Sequence, residues 1–195
     1  ASVAMAQKME TLGADAIVAE GTEAGGHIGE ITTMCLTPQV CDAVSIPVIC
    51  AGGIADSRGA MAAFALGAEG IQVGTRFICS EECIAHENYK QSVLSAKDRD
   101  AVVTGRSTGA PVRALKNKLT REYERLEKMN ASKEEIEELG VGGLRRAFEE
   151  GDVQNGSLMA GQSAAMITKI EPCSDIIRSY FEDADKVLSR IKDII

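Results

Sequence analysis

Tryptophan is absent from the 195 residues, aromatic side chains make up only 4% of them, and there are just two histidines, His27 and His86. Imidazole chemistry is therefore confined to two positions. There is no basic excess: 21 Lys and Arg stand against 29 Asp and Glu, for a net charge of −8. A non-specific nucleic-acid binder needs a basic face to neutralise phosphates, so the charge argues against that class and no nucleic-acid partner is expected. The longest apolar stretches, Ile46–Ala55 and Ala60–Ala68, fall short of the roughly 18 residues that span a bilayer, so no membrane association is expected. No charged segment followed by an apolar one stands at the start, which gives no sign of export. The six cysteines lack disulfide-type or CxxC spacing, and a reducing, cytoplasmic location is expected. Cys79 and Cys83 with His86 do not supply the four closely spaced ligands of a structural zinc site, so no metal is expected.

What is abundant is glycine, and eleven of the 19 glycines lie in residues 1–75. Residues 1–78 repeat a short apolar strand, a glycine-containing loop and a helix-like segment three times. The strand runs are Ala14–Ala19, Pro47–Ala51 and Gly70–Val73, uninterrupted rather than alternating, as parallel strands buried on both faces should be. Thr37-Pro38 reads as one helix start, and Asp56-Ser57 as the next. Gly13 and Gly67 stand where a left-handed residue closes a helix. Residues 79–156 change character: sixteen of the 34 positions from Asn117 to Glu150 are charged, against ten of the first 75. This reads as a mostly helical, solvated extension. Leu119, Tyr123, Leu126 and Met129 form an apolar stripe, Ser132–Glu135 a capping box, and Gly140–Gly143 a turn between helices. Residues 157–195 return to small apolar residues. They end in a long amphipathic helix through Ile176, Ile177, Tyr180, Phe181, Ala184, Val187, Leu188 and Ile191, which leaves a homodimer plausible.

Two strand ends run into glycine and then a helix start: Cys50-Ala51-Gly52-Gly53-Ile54-Ala55-Asp56 and Val73-Gly74-Thr75-Arg76-Phe77. Glycine lets backbone N–H groups approach an anion closely, and the helix end adds partial positive charge. In (β/α)₈ barrels the loops after the last two strands often bind phosphate, so the tandem points to strands seven and eight. One unit earlier, Glu20–Gly29 carries His27 in a glycine-rich loop, where barrel enzymes place catalytic groups; residue type alone leaves a structural role equally open. His86 reads as structural. Ser157–Ser163 is either the start of a buried helix or a segment that closes over a flat ligand through Met159 and Gln162.

These stretches resemble the FMN-dependent enoyl-acyl-carrier-protein reductases of bacterial fatty-acid synthesis, within the wider nitronate monooxygenase (2-nitropropane dioxygenase) family. The matching residues are Ala19–Thr33, Pro47–Asp56, Gly70–Phe77, His86–Tyr89, Arg113–Tyr123 and Gly151–Gln162. The resemblance implies an α/β fold, the (β/α)₈ TIM barrel, with this chain as its last three βα units plus a helical extension. The N-terminal half of the barrel would lie outside the chain, which opens on Ala1 within a helical pattern; three strands alone leave two open edges and close no barrel. It implies FMN as cofactor, its phosphate against Gly52, Gly53, Gly74 and Thr75, and its ring near Met159 and Gln162. Glu20, Gly25, Gly26 and Ala51 complete the cofactor-binding set. NAD(P)H would be the co-substrate, passing hydride to flavin N5 and from there to the β-carbon of a 2-enoyl thioester, with a proton delivered to the α-carbon. His27 is the implied catalytic residue, polarising or protonating the thioester enolate. The implied partner is an acyl carrier protein, for which Arg106, Arg113, Lys116 and Lys118 are expected to form a basic dock. Two other readings share these motifs: a nitronate monooxygenase using oxygen, and a non-catalytic FMN- or phosphate-binding module.

Overall fold

The computed structural model describes residues 2–194. The chain runs α1 (Val3–Thr11), β1 (Ile17–Glu20), β2 (Gly26–His27), α2 (Thr33–Ala43), β3 (Val48–Ala51), α3 (Ser57–Ala65), β4 (Gly70–Gln72), α4 (Thr75–Ile78), α5 (Glu87–Leu94), β5 (Ala101–Thr104), β6 (Val112–Leu115), α6 (Lys118–Lys128), α7 (Lys133–Gly140), α8 (Gly143–Phe148), a 3-10 turn (Gln162–Met166), α9 (Cys173–Glu182) and α10 (Ala184–Lys192). The three apolar runs form a parallel sheet in the order β1-β3-β4, with ends displaced by up to three residues from their sequence-predicted limits. The fold is α/β.

Burial on both sheet faces does not hold for β1. Ile17 and Ala19 are buried against Leu36 and Val40 of α2, whereas Val18, on the opposite face, is 42% exposed. This chain's helices cover one face of that strand only. A second apolar cluster joins Cys50 and Ile54 to Ala60 and Ala63 of α3 and to Ile176 and Tyr180 of α9.

Asp56 caps α3, accepting from the N–H groups of Arg58 at 2.9 Å and Gly59 at 3.4 Å. Helix α2, by contrast, begins at Thr33, a full turn before the predicted Thr37-Pro38, and Pro38 sits inside it. The cause is a long-range cap. The Glu23 carboxylate accepts from Thr33 N–H at 2.9 and 3.1 Å and from Thr33 Oγ1 at 2.8 Å, which satisfies the helix end from ten residues upstream.

Burial pulls the Asp56 carboxyl up, but the bonds from Arg58 and Gly59 outweigh it and hold the pKa below the ordinary value. A carboxylate depressed in the folded state stabilises fully above its unfolded pKa, and this contribution fades as pH falls through the lower folded value. Asp56→Ala is therefore expected to cost about 1 kcal/mol near neutral pH. Urea unfolding stepped from pH 7 downward checks this: the difference from the parent should shrink below about pH 4, near the unfolded aspartate pKa.

The region predicted as mostly helical also contains strands. β5 and β6 pair antiparallel, and β2 joins them to give the order β2-β6-β5. Helices α6–α8 follow as expected, with Ser132 and Glu135 forming the capping box and Gly142, in a left-handed conformation (φ 68°), turning α7 into α8. The stripe on α6 ends short of Met129, which is 64% exposed. The single C-terminal helix is two, broken at Asp183, with Ile177, Phe181, Leu188 and Ile191 all exposed. No helix among the described residues is long and apolar enough to cross a membrane.

Candidate active site

The ends of β1, β3 and β4 open into a cavity of about 370 Å³. Glu20, Gly25, Gly26, Ala51, Gly52, Gly53, Gly74, Thr75 and Met159 all line it; so do Glu23, Gln72 and Ser163, which the sequence reading did not single out. Gly52 and Gly53 have positive φ (96° and 76°). A Cβ on Gly74 would project into open space within the cavity. The N–H groups of Gly53, Gly74 and Thr75 have no acceptor among the described residues. Bare backbone donors at a cavity wall suit an anion, and the space above them suits a ligand of cofactor size. These residues fit a phosphate-bearing flavin. Of the two carboxylates present, Glu23 spends its oxygens on Thr33, and burial raises the pKa of Glu20.

Gln162 has an exposed side chain that does not line the cavity, the segment entering a 3-10 turn at that residue. Its backbone N–H instead donates to Glu23 O at 2.9 Å. Gly161 N–H donates to Thr75 Oγ1 at 2.9 Å, so the Thr75 hydroxyl fastens the 157–163 strap to the β4–α4 turn. The strap lies against the Glu20–Gly29 loop with no room between them. A Cβ on Gly25 would stand 2.6 Å from the Ala160 carbonyl carbon, and one on Gly161 would stand 2.6 Å from Glu23 O. Tyr89, from the His86–Tyr89 stretch, is buried, and its hydroxyl donates to Met159 O at 2.7 Å. His86 caps α5, its Nδ1 accepting from Asn88 N–H at 3.1 Å, in the structural role expected of it.

His27 does not line the first cavity. It is exposed on β2 and opens into a second cavity of about 360 Å³, lined by Val112, Tyr123, Ile136, Leu144 and the Gly140–Gly143 turn. Met159 lines both cavities and is where they meet.

Of the four basic residues expected to form a dock, Arg106, Lys116 and Lys118 are exposed and Arg113 is not. Arg113 is 6% exposed and donates to Thr22 O at 3.0 and 3.2 Å and to Ala101 O at 3.3 Å; burial lowers its pKa. Three donors directed at two backbone carbonyls make it a clamp between the Glu20–Gly29 loop and the β5–β6 hairpin. Arg106 pairs with Glu30, and Lys116 stands 3.9 Å from Asp100. The six cysteines are free, and no three His, Cys, Asp or Glu side chains converge as metal ligands among the described residues.

A family model described as nitronate monooxygenase matches residues 1–183. The curated "Probable nitronate monooxygenase" of Staphylococcus saprophyticus is 36% identical over 97% of this chain and 56% of its own length; that of Staphylococcus aureus is 35% identical over 92% and 53%. The structure of FabK from Thermotoga maritima superposes with a TM-score of 0.95 at 47% identity, over 100% of this chain and 62% of that one. A nitroalkane oxidase from Streptomyces ansochromogenes superposes with a TM-score of 0.82 at 29% identity, over 97% and 57%. The chain thus spans little more than half the length of the curated relatives it matches, and it belongs to the nitronate monooxygenase family.

Proposed function

We propose that this chain is the cofactor- and substrate-facing part of an FMN-dependent enoyl-acyl-carrier-protein reductase that uses NAD(P)H in fatty-acid synthesis. The observation that carries this reading is the meeting of two cavities at Met159, one floored by a glycine anion cradle and the other holding His27 with Val112, Ile136 and Leu144, and with Glu137 and Arg145 also in its wall. When bound, FMN would supply the two-electron chemistry that links NAD(P)H oxidation to reduction of the enoyl thioester. The chain's own residues do the rest. Gly53, Gly74 and Thr75, beside Gly52, would hold the phosphate through their backbone donors, and Met159 would face the ring. His27 hydrogen-bonds the thioester carbonyl or delivers the proton to the α-carbon. Helices α6–α8 keep water from the acyl chain.

Identity to FabK, at 47%, exceeds that to the curated nitronate monooxygenases, at 36% and 35%, and supports the reductase branch. The size of the second cavity points the same way, since a short nitroalkane needs only a fraction of about 360 Å³. The second reading, nitronate oxidation with oxygen, is favoured by the family model and by the curated names. NAD(P)H oxidation by the complete protein with a crotonyl or longer enoyl thioester, run beside oxygen uptake with a nitroalkane, separates the two. The acyl carrier protein is the proposed partner, with Arg106, Lys116 and Lys118 as the exposed part of the basic dock and the buried Arg113 outside it.

β1 and β4 are the outer strands of the parallel sheet. Apolar cavities of about 310 Å³ beside β1 and about 370 Å³ beside β4 flank the two edges. Together with the open face at Val18, these edges support the proposal that the sheet is the last three βα units of a (β/α)₈ barrel whose other strands complete it.

A further inference from the structure

Three residues of the antiparallel sheet stand in one row. His27 pairs with Val112, and Val112 pairs on its other side with Thr104. Directly opposed residues project to the same face, and all three line the cavity beneath α6–α8. Two interstrand spacings put the His27 and Thr104 backbones roughly 10 Å apart.

Thr104 is 4% exposed. The loop after it closes without its hydroxyl, through Thr108 Oγ1 donating to Gly105 O at 2.9 Å and Arg106 pairing with Glu30. Among the described residues Thr104 Oγ1 has no hydrogen-bond partner. The oxygen is not sealed inside the protein: among the described residues the buried side-chain polar atom without a partner is Tyr180 Oη, so the Thr104 hydroxyl keeps its opening to the cavity and can bond a ligand there.

We propose that Thr104 is a second substrate-binding residue, its hydroxyl donating to the carbonyl oxygen of a thioester whose acyl part lies over Val112, with His27 on the other side. This rests on the reductase reading. Hydride addition to the β-carbon would move the π pair to the thioester oxygen; the α-carbon would then take a proton from His27 or water as the carbonyl re-forms. A fixed donor at that oxygen stabilises the charge where it develops. Its contribution is independent of pH, because a threonine hydroxyl does not titrate in the working range.

Thr104→Val keeps the shape and removes the donor, and Thr104→Ser keeps the donor. In the complete flavin-loaded protein, Thr104→Val is expected to lower kcat on an enoyl thioester on the order of tenfold, with a smaller change in KM. Thr104→Ser should recover most of that loss. Flavin content, the unfolding midpoint and bleaching of the flavin by NAD(P)H alone should stay at parental values in both. An unchanged kcat in Thr104→Val, or a Thr104→Ser variant as impaired as Thr104→Val, overturns the assignment while leaving the reductase reading intact. A parent protein that neither binds nor reduces the enoyl thioester overturns both.

Discussion

Gly161→Ala is expected to abolish tight flavin binding. The added Cβ would stand 2.6 Å from Glu23 O and 3.2 Å from Gly25 N, and both are backbone atoms that cannot swing aside. Restoring ordinary contact means lifting the strap from the Glu20–Gly29 loop. That movement breaks the bonds from Gln162 N–H to Glu23 O and from Gly161 N–H to Thr75 Oγ1, each 2.9 Å. Strain of this kind costs about 1–3 kcal/mol of stability. It also displaces Met159 from the junction of the two cavities. The expected result is a flavin affinity weakened on the order of a hundredfold, the ~2.8 kcal/mol that such strain can supply. Gly74→Ala is the informative partner, because its Cβ meets nothing within 4 Å in the protein and projects into the cavity itself. It should weaken flavin binding with the unfolding midpoint of the apoprotein unchanged. Flavin fluorescence titration and thermal unfolding of both variants check this. Parental affinity in Gly161→Ala would contradict the role given to the strap.

His27→Ala is expected to lower turnover on the order of 10²- to 10⁴-fold, the range associated with a positioned proton-transfer group. Bound flavin should remain in place, because His27 lines the second cavity and not the first. The position is exposed and sits on a two-residue strand held by Arg113 and Val112 of β6, so alanine leaves no buried void. Stopped-flow kinetics should show the half-reaction with NAD(P)H unaltered and the half-reaction with the enoyl thioester slowed. Loss of flavin from His27→Ala would assign the residue a structural role instead.

The parts of the site legible in the sequence were those with a local signature. A strand running into Gly52-Gly53 or Gly74 before a helix start is a short-range pattern, and nine of the ten residues read as cofactor-binding line one cavity. Gln162 departs from that set because a side chain's direction depends on the backbone turn, and glycine and alanine neighbours do not announce a 3-10 turn. The start of α2 was misplaced for a different reason: its cap is supplied by Glu23, ten residues away, and no local pattern shows it. Arg113 read as surface charge, yet its partners Thr22 and Ala101 lie 91 and 12 residues from it. The β5–β6 hairpin, and Thr104 with it, carried a usable signal. Two short apolar runs, Ala101–Thr104 and Val112–Leu115, flank a loop with Gly105 and Gly109, both at positive φ. The dense charge that follows from Lys118 onward dominates the composition of the region and hides them.

The central claim, that a glycine-cradled flavin serves an enoyl thioester bound beside His27, is tested most directly without oxygen. The complete flavin-loaded protein is reduced with one equivalent of NAD(P)H and mixed anaerobically with an enoyl thioester, and flavin absorbance is followed. The account predicts rapid return of the oxidised spectrum with formation of the saturated thioester. A flavin that stays reduced with the enoyl thioester, in a protein that consumes oxygen with a nitroalkane, would contradict it.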